Sequence, residues 1–229
     1  MPAATVVVVR DVDDTLEVLL LHRDRALSFA GGMWVFPGGR IDPADHEPAG
    51  PDDAPDRAPA PADLELAARR AAVREAAEEA GLLIDPGALR RWSQWTPPPE
   101  SPKRFSTAFY VARHDDAHEV VIDDAEIRDH RWLTPAAALA LRDAGELGLS
   151  PPTFITLHQL QAHRRVTDVL EHAEQAGGVE HFATRITVRD DEVLALYHGD
   201  AGYESGDPDV TGPRHRLRMA DTWTYQRRP

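Results

Sequence analysis

With 229 residues, 42 % of them hydrophobic, the chain is long enough for one well-packed domain with embellishments. Its formal net charge of −14 and pI near 5.1 disfavour duplex nucleic acid and anionic membrane surfaces, both of which are bound through Lys and Arg. The lack of cysteine excludes disulfides, thiolate nucleophiles and Cys-ligated zinc.

A small polyanionic substrate remains compatible, because local arginines or a bound cation can reverse the field inside one cleft. The opening MPAATVVVVRD has neither the basic region nor the apolar run of a signal peptide, and no membrane-spanning stretch follows. The expectation is a cytoplasmic protein with no nucleic-acid or membrane partner.

Thr5–Arg10 is apolar and β-branched, Glu17–His22 reads EVLLLH, and with Asp13-Asp14 between them they predict an antiparallel hairpin. Arg23–Met33 reads as a loop, Trp34–Phe36 as a short strand stopped by Pro37-Gly38-Gly39. His46–Pro61 is rich in Pro, Ala and Asp without a large apolar residue, and reads as a mobile insertion. Asp63 is the expected cap of a helix over Leu64–Ala80, stopped by Gly81. On a helical wheel Leu66, Val73, Ala77 and Ala80 share one side, and Glu75, Glu78 and Glu79 the opposite side. Phe105–Ala112 and Asp129–Leu133 read as strands. Thr134-Pro135 caps a helix to Arg142, and Pro151-Pro152 opens one to about Ala176. Arg185–Val188 and Val193–His198 form a second expected hairpin, and the remaining tail reads as turns. Mixed, non-alternating elements predict α+β layers.

The chemistry lies in Arg74–Leu82, REAAEEAGL. Residues three and four apart are neighbours on a helix, so Glu75, Glu78 and Glu79 cluster and repel unless a cation sits among them. Hard oxygen ligands suit Mg²⁺ or Mn²⁺, which would also bind substrate phosphate. Arg74, four before Glu78, is placed to orient that carboxylate.

The run Arg, Glu, two residues, Glu-Glu, one residue, Gly and an aliphatic residue resembles the Nudix box, and the chain is similar to the Nudix hydrolase family. That box opens with a glycine, here Gly39, and has a glutamate six positions on. Asp45 stands there instead, and 28 residues separate it from Arg74 rather than seven. Glu65 is the alternative occupant. An interrupted box resembles the branch that includes the peroxisomal coenzyme A diphosphatases. The further likeness lies in Gly38-Gly39-x-x-Asp42-x-x-Asp45, Trp92 and Trp95 before Thr96-Pro97, Arg104-Phe105-x-Thr107-Ala108-Phe109, and Pro151-Pro152.

The resemblance implies a Nudix fold, with a mixed sheet sandwiched between helices over residues 1–150. The insertion at 46–61 would lie within the box. Residues 151–229 would form a helix-plus-hairpin extension packing on the core or building a homodimer contact. It implies Glu75 and Glu79 as main metal ligands, Glu78 as ligand or supporting group, and Gly39 offering its carbonyl. The implied reaction is hydrolysis of a diphosphate linkage in a nucleoside diphosphate derivative. Coenzyme A or an acyl derivative leads; ADP-ribose, dinucleotides and oxidised nucleotides are the alternatives. The rival class is a non-catalytic nucleotide-binding regulatory module.

Glu126 is a candidate general base. Arg104, Lys103 and Arg23 are candidate phosphate contacts, since Arg suits bidentate phosphate recognition. Trp34 and Trp95, with Phe29 and Tyr110, are either stacking faces for adenine or core residues. His114 and His118 fall in loop sequence and promise no metal site.

Overall fold

The computed structural model describes residues 1–27, 30–46, 60–101, 104–114, 118–175 and 179–228. Most of the predicted insertion (47–59), together with Phe29 and Lys103, lies outside the described residues.

Two long strands begin the chain, β1 (Pro2–Val12) and β2 (Thr15–Arg23). They are joined at Asp13 and Asp14, both with positive φ (47° and 61°). That is the tight hairpin connection whose twist matches its strands, and Asp tolerates it. Val6 to Val9 of β1 are all fully buried. A strand this apolar on both sides must have both faces covered. Val7 and Val9 face one core; Ala4, Val6 and Val8 face another.

The short strands β3 (Trp34–Val35) and β4 (Gly38–Arg40) follow, and then helix α1 (Pro61–Ala80). The helix starts three residues earlier than its sequence suggests. Ala60 is the cap and Asp63 the third helical residue, its carboxylate taking the Ala60 N–H at 2.9 Å. Gly81 ends it in the left-handed conformation, as expected (φ 67°). The packing face also differs from expectation. Ala68, Ala71, Ala72, Ala76 and Ala80 pack on the sheet, and Glu79 lies on that buried side at 5 % exposure. Helix α1 lacks a strong apolar stripe, so its rotation is set by how closely alanines approach the sheet.

The sheet continues with β5 (Arg90–Thr96), β6 (Ser106–Arg113) and β7 (Ile127–Leu133). Helices α2 (Pro135–Asp143), α3 (Pro151–Leu160) and α4 (Val166–Gln175) cover the face opposite α1. The single helix expected from Pro151 to Ala176 is two. Asp168 accepts the N–H groups of Arg164 and Arg165 at 3.2 and 3.1 Å, and Asp11 of β1 accepts that of Val166 at 2.8 Å. These bonds satisfy a new helix start.

Strand β8 (Glu180–Ala183) runs parallel to β5, so the main sheet reads β3-β2-β1-β6-β5-β8, with β4 on β1 and β7 on β2. The rest forms a second, antiparallel sheet of β9 (Arg185–Arg189), β10 (Glu192–Leu196), β11 (Arg214–Met219) and β12 (Trp223–Arg228). The expected hairpin is β9–β10, turning at Asp190-Asp191 with φ 49° and 64°. The tail contains two strands rather than turns alone. Tyr197 and Leu217 join the core of Trp95, Phe109 and Phe182, so the extension shares the core of the preceding chain. The architecture is α+β, a mixed sheet between helices. Among the described residues no helix is long and apolar enough to cross a membrane.

Candidate active site

Strand β4, the end of β2 and the C-terminal half of α1 bound a cleft of about 530 Å³ lined by Gly38, Gly39, Arg23, Arg74, Glu75, Glu78, Glu79 and Glu126. Residues distant in sequence converge here because β4 and β2 flank β1 and α1 crosses it.

Glu79 is the anchor. One carboxylate oxygen accepts the Gly38 N–H at 3.0 Å, the other an Arg23 Nη at 3.1 Å. Burial pushes its pKa up to about 8, against the opposing pull of the Gly38 N–H and Arg23. Taking an ionised carboxylate out of water is costly, and a cation beside it would offset that cost. Glu75 is also raised, by burial first, in spite of Arg74. Glu78 is mostly exposed and takes an Arg74 Nη at 3.0 Å.

Arg74 is gripped from several sides. Its Nε and Nη2 donate to Asp45 at 3.1 and 3.0 Å, Nη2 also to the Arg40 carbonyl at 3.0 Å, and Nη1 to Glu75 at 2.9 Å. Asp45 is 4 % exposed and also accepts the Asp42 N–H at 2.8 Å. Burial alone would raise its pKa, but Arg74 and that N–H outweigh burial and hold the carboxyl below its usual range. Asp45 therefore occupies the position beside Arg74. Glu65 instead pairs with Arg69 and Arg91, at 3.0 and 3.1 Å.

Both glycines are sterically required. A Cβ on Gly38 would come within 2.6 Å of the Ala4 carbonyl, and one on Gly39 would overlap the Glu75 carboxylate. Gly39→Ala should therefore displace Glu75. Small misplacements of reacting groups are expensive, so turnover should fall roughly ten- to a hundredfold. Steady-state kinetics on the purified variant would check this, and unchanged kcat would mean that Glu75 plays no part in turnover.

Arg23 bridges the cleft, donating to Glu126 at 2.7 Å as well as to Glu79; its Nε is buried without a hydrogen-bond partner. Glu126 is half-exposed on the facing rim. Arg104 is exposed and lies outside the lining of the cleft; its carbonyl accepts the chain's amino terminus at 2.7 Å. Trp34 is a core residue, 5 % exposed and stacked on His22 with ring centres 4.9 Å apart. Trp95 stacks on Phe182 at 4.1 Å, with one edge on an apolar pocket beside the cleft. Tyr110 is fully buried, its hydroxyl taking Arg91 at 2.9 Å. The lining also includes Thr5 and Leu27, which sequence reading did not single out. Thr5 could have been found by pairing β1 with the Gly-Gly strand, where it sits opposite Gly38.

A family model described as the NUDIX domain matches residues 1–153. The acyl-coenzyme A diphosphatase NUDT19 of Xenopus laevis is 27 % identical over 136 residues, covering 57 % of this chain and 36 % of that protein. Its Gallus gallus counterpart is 25 % identical across 90 % of this chain and 77 % of its own length. A putative nudix hydrolase 7 of Caenorhabditis elegans is 26 % identical, covering 64 % of this chain and 56 % of that protein. The chain thus spans a third to a little over half of the frog and nematode relatives. Among solved structures, a NUDIX hydrolase from Alicyclobacillus acidocaldarius superposes with TM-score 0.64 at 25 % identity, over 78 % of this chain and 96 % of that one.

Proposed function

The chain belongs to the Nudix family, and from that premise we propose that it hydrolyses the diphosphate linkage of a nucleoside diphosphate derivative, with coenzyme A or an acyl-coenzyme A as the leading substrate. The observation that carries the reading is the pair Glu75 and Glu79, held beside Gly38 and Gly39 at the floor of one cleft with Arg23 above. The acyl-coenzyme A diphosphatases among the relatives favour that substrate over ADP-ribose or a dinucleotide.

Among the described residues no three acidic or histidine side chains converge tightly enough to cage an ion. Magnesium does not need a cage. It is usually held by one or two carboxylates plus waters and substrate phosphate. Glu75 and Glu79 fit that requirement, the second because it is a buried carboxylate whose charge Arg23 and the Gly38 N–H only partly offset. A Mg²⁺ or Mn²⁺ ion held by these residues, with the Gly39 carbonyl, would supply charge neutralisation for the diphosphate and the departing phosphate.

The protein's own groups do the rest. Asp45 and the Arg40 carbonyl fix Arg74, which aims Glu75 and Glu78 into the cleft. Arg23, with an unused donor at Nε, is placed to donate to a phosphate oxygen. Glu126, exposed across the cleft, takes the proton of the attacking water as its oxygen bonds to phosphorus and the bridging P–O bond breaks.

The test is a substrate panel of coenzyme A, an acyl-coenzyme A, ADP-ribose, a dinucleotide and an oxidised nucleotide, with Mg²⁺ or Mn²⁺ and products identified by mass. Coenzyme A should yield phosphopantetheine and adenosine bisphosphate. No cleavage at a diphosphate in any member would overturn the reading.

A further inference from the structure

Beside the carboxylate cleft lies a second cavity of about 300 Å³. The two share Thr5, Arg23, Gly38, Phe105 and Thr107, so one ligand can reach from one into the other. The second cavity is walled by Val35, Phe36, the edge of Trp95, Phe109, and two proline pairs, Pro97-Pro98 and Pro151-Pro152. Its far side is closed by Thr184 and by Ile186 of β9, which lie beyond the residues matched by the family model.

The prolines matter. A helix start normally presents free N–H groups to an anion. At the start of α3 the first two positions are Pro151 and Pro152, which have none, and the Thr153 N–H turns to the Ser150 hydroxyl. Among the described lining residues the only charged side chain is Arg23, at the junction with the cleft. A substrate phosphate would therefore be held at Arg23, and the cavity would take what is attached to it. Among the described residues no side-chain amide or carboxylate lines the cavity to read a nucleobase edge.

We propose that this cavity binds a branched aliphatic alcohol esterified to the diphosphate, the pantoyl head of pantetheine, and that Ile186 of the C-terminal sheet is a specificity-determining residue of the site. This rests on the coenzyme A reading above and names which half of that substrate lies where. Pantetheine carries its dimethyl carbon one methylene from the phosphate ester, so a phosphate at Arg23 would hand that carbon to the cavity that Phe36, Phe109 and the prolines line. A ribose set among Phe36, Phe109 and the prolines would find no hydrogen-bond partner on those side chains for its hydroxyls.

The test separates binding from turnover. Phosphopantetheine and adenosine bisphosphate contain no diphosphate, so both can be titrated calorimetrically with Mg²⁺ present and neither is cut. Ile186 is 41 % exposed, so a charge there should not unfold the chain. Ile186→Asp should weaken phosphopantetheine about tenfold and leave adenosine bisphosphate within about twofold, since small changes in an apolar pocket carry effects of that order. Ile186→Ala should shift the same ligand in the same direction, about threefold. Val188→Asp is the control, placing the same charge two residues along β9 but outside the cavity. It should change neither ligand. Equal weakening of both ligands, weakening of the bisphosphate alone, no effect of either Ile186 variant, or no phosphopantetheine binding to the parent protein would each overturn the assignment. A substrate panel without hydrolysis would sink the hydrolase reading and leave a selective binding loss standing.

Discussion

Glu79→Gln is expected to lower kcat by about 10²–10⁴-fold on the best substrate, equivalent to about 3–5 kcal/mol of transition-state stabilisation. The substitution preserves shape and a hydrogen-bonding oxygen for the Gly38 N–H, and removes one negative charge where a cation is proposed to sit. Glu75→Gln should behave similarly. Glu78→Gln should be milder, because that side chain is mostly exposed and its bonded partner is Arg74. Glu17, paired with Arg10 on the first hairpin far from the cleft, serves as the control and should tolerate Gln without loss of turnover. Chelation with EDTA should abolish activity in the parent protein, and Mg²⁺ or Mn²⁺ should restore it. The fold should survive Glu79→Gln, and thermal melts without metal should be no lower than those of the parent, because a buried carboxylate has been replaced by a neutral amide. Near-normal kcat in both Glu75→Gln and Glu79→Gln would remove the metal site from this helix.

The largest loss of stability is expected from a residue outside the cleft. Asp200 and Arg216 form a buried pair, with side-chain exposures of 0 and 6 %. The carboxylate accepts Arg216 at 2.7 and 2.6 Å, the His215 N–H at 2.8 Å and the Gly202 N–H at 2.9 Å. Asp200→Ala leaves two backbone donors unmet and a buried guanidinium with the Pro208 carbonyl as its remaining acceptor, 2.8 Å away. Breaking one side of such a pair costs about 3–5 kcal/mol, a large share of a domain's stability. For a chain of this size the melting temperature should fall by roughly 10 °C or more. Replacing both partners by apolar residues should recover much of the loss, since it leaves no unpaired charge. Burial would raise the Asp200 pKa, but Arg216 and the two N–H groups outweigh it and hold it below 3.8. The pair's contribution is therefore present at neutral pH and is lost only as pH falls through that depressed value. Melting curves for Asp200→Ala within a degree of the parent would show that water relaxes into the site. The pair braces the sheet that carries Ile186, so the same variant should also weaken phosphopantetheine binding.

Several elements follow from local chemistry and are readable without the fold. The first hairpin needs a polar pair tolerant of positive φ between two apolar runs, and Asp13-Asp14 supplies it. Helix α1 must end where Gly81 permits the left-handed turn. The spacing of Glu75, Glu78 and Glu79 puts three carboxylates within reach of one another on any helix. Gly38-Gly39 signals a backbone approached too closely for a side chain, which the overlap with Ala4 and Glu75 explains.

Other features depend on partners remote in sequence. The sequence places Asp45 at the box position with Glu65 as the alternative, and only the fold brings Asp45 to Arg74, 29 residues away. The break between α3 and α4 needs the Asp11 carboxylate, 155 residues upstream of the N–H it accepts. Strands β11 and β12 are masked in the sequence by the Gly- and Pro-rich stretch before them and by the lack of a period-two pattern, since His215, Arg216 and Leu217 are all buried. The buried position of Arg216 is tolerable only once Asp200 is opposite it. By itself the sequence determined the local conformations and the cluster of glutamates, since those depend on residues within one helical turn or one hairpin. The tertiary structure decided which face of α1 is buried, which acid holds Arg74, and that Arg23, Glu79 and Glu126 meet. Those outcomes depend on close packing and on charges that find compensation only after distant segments are brought together.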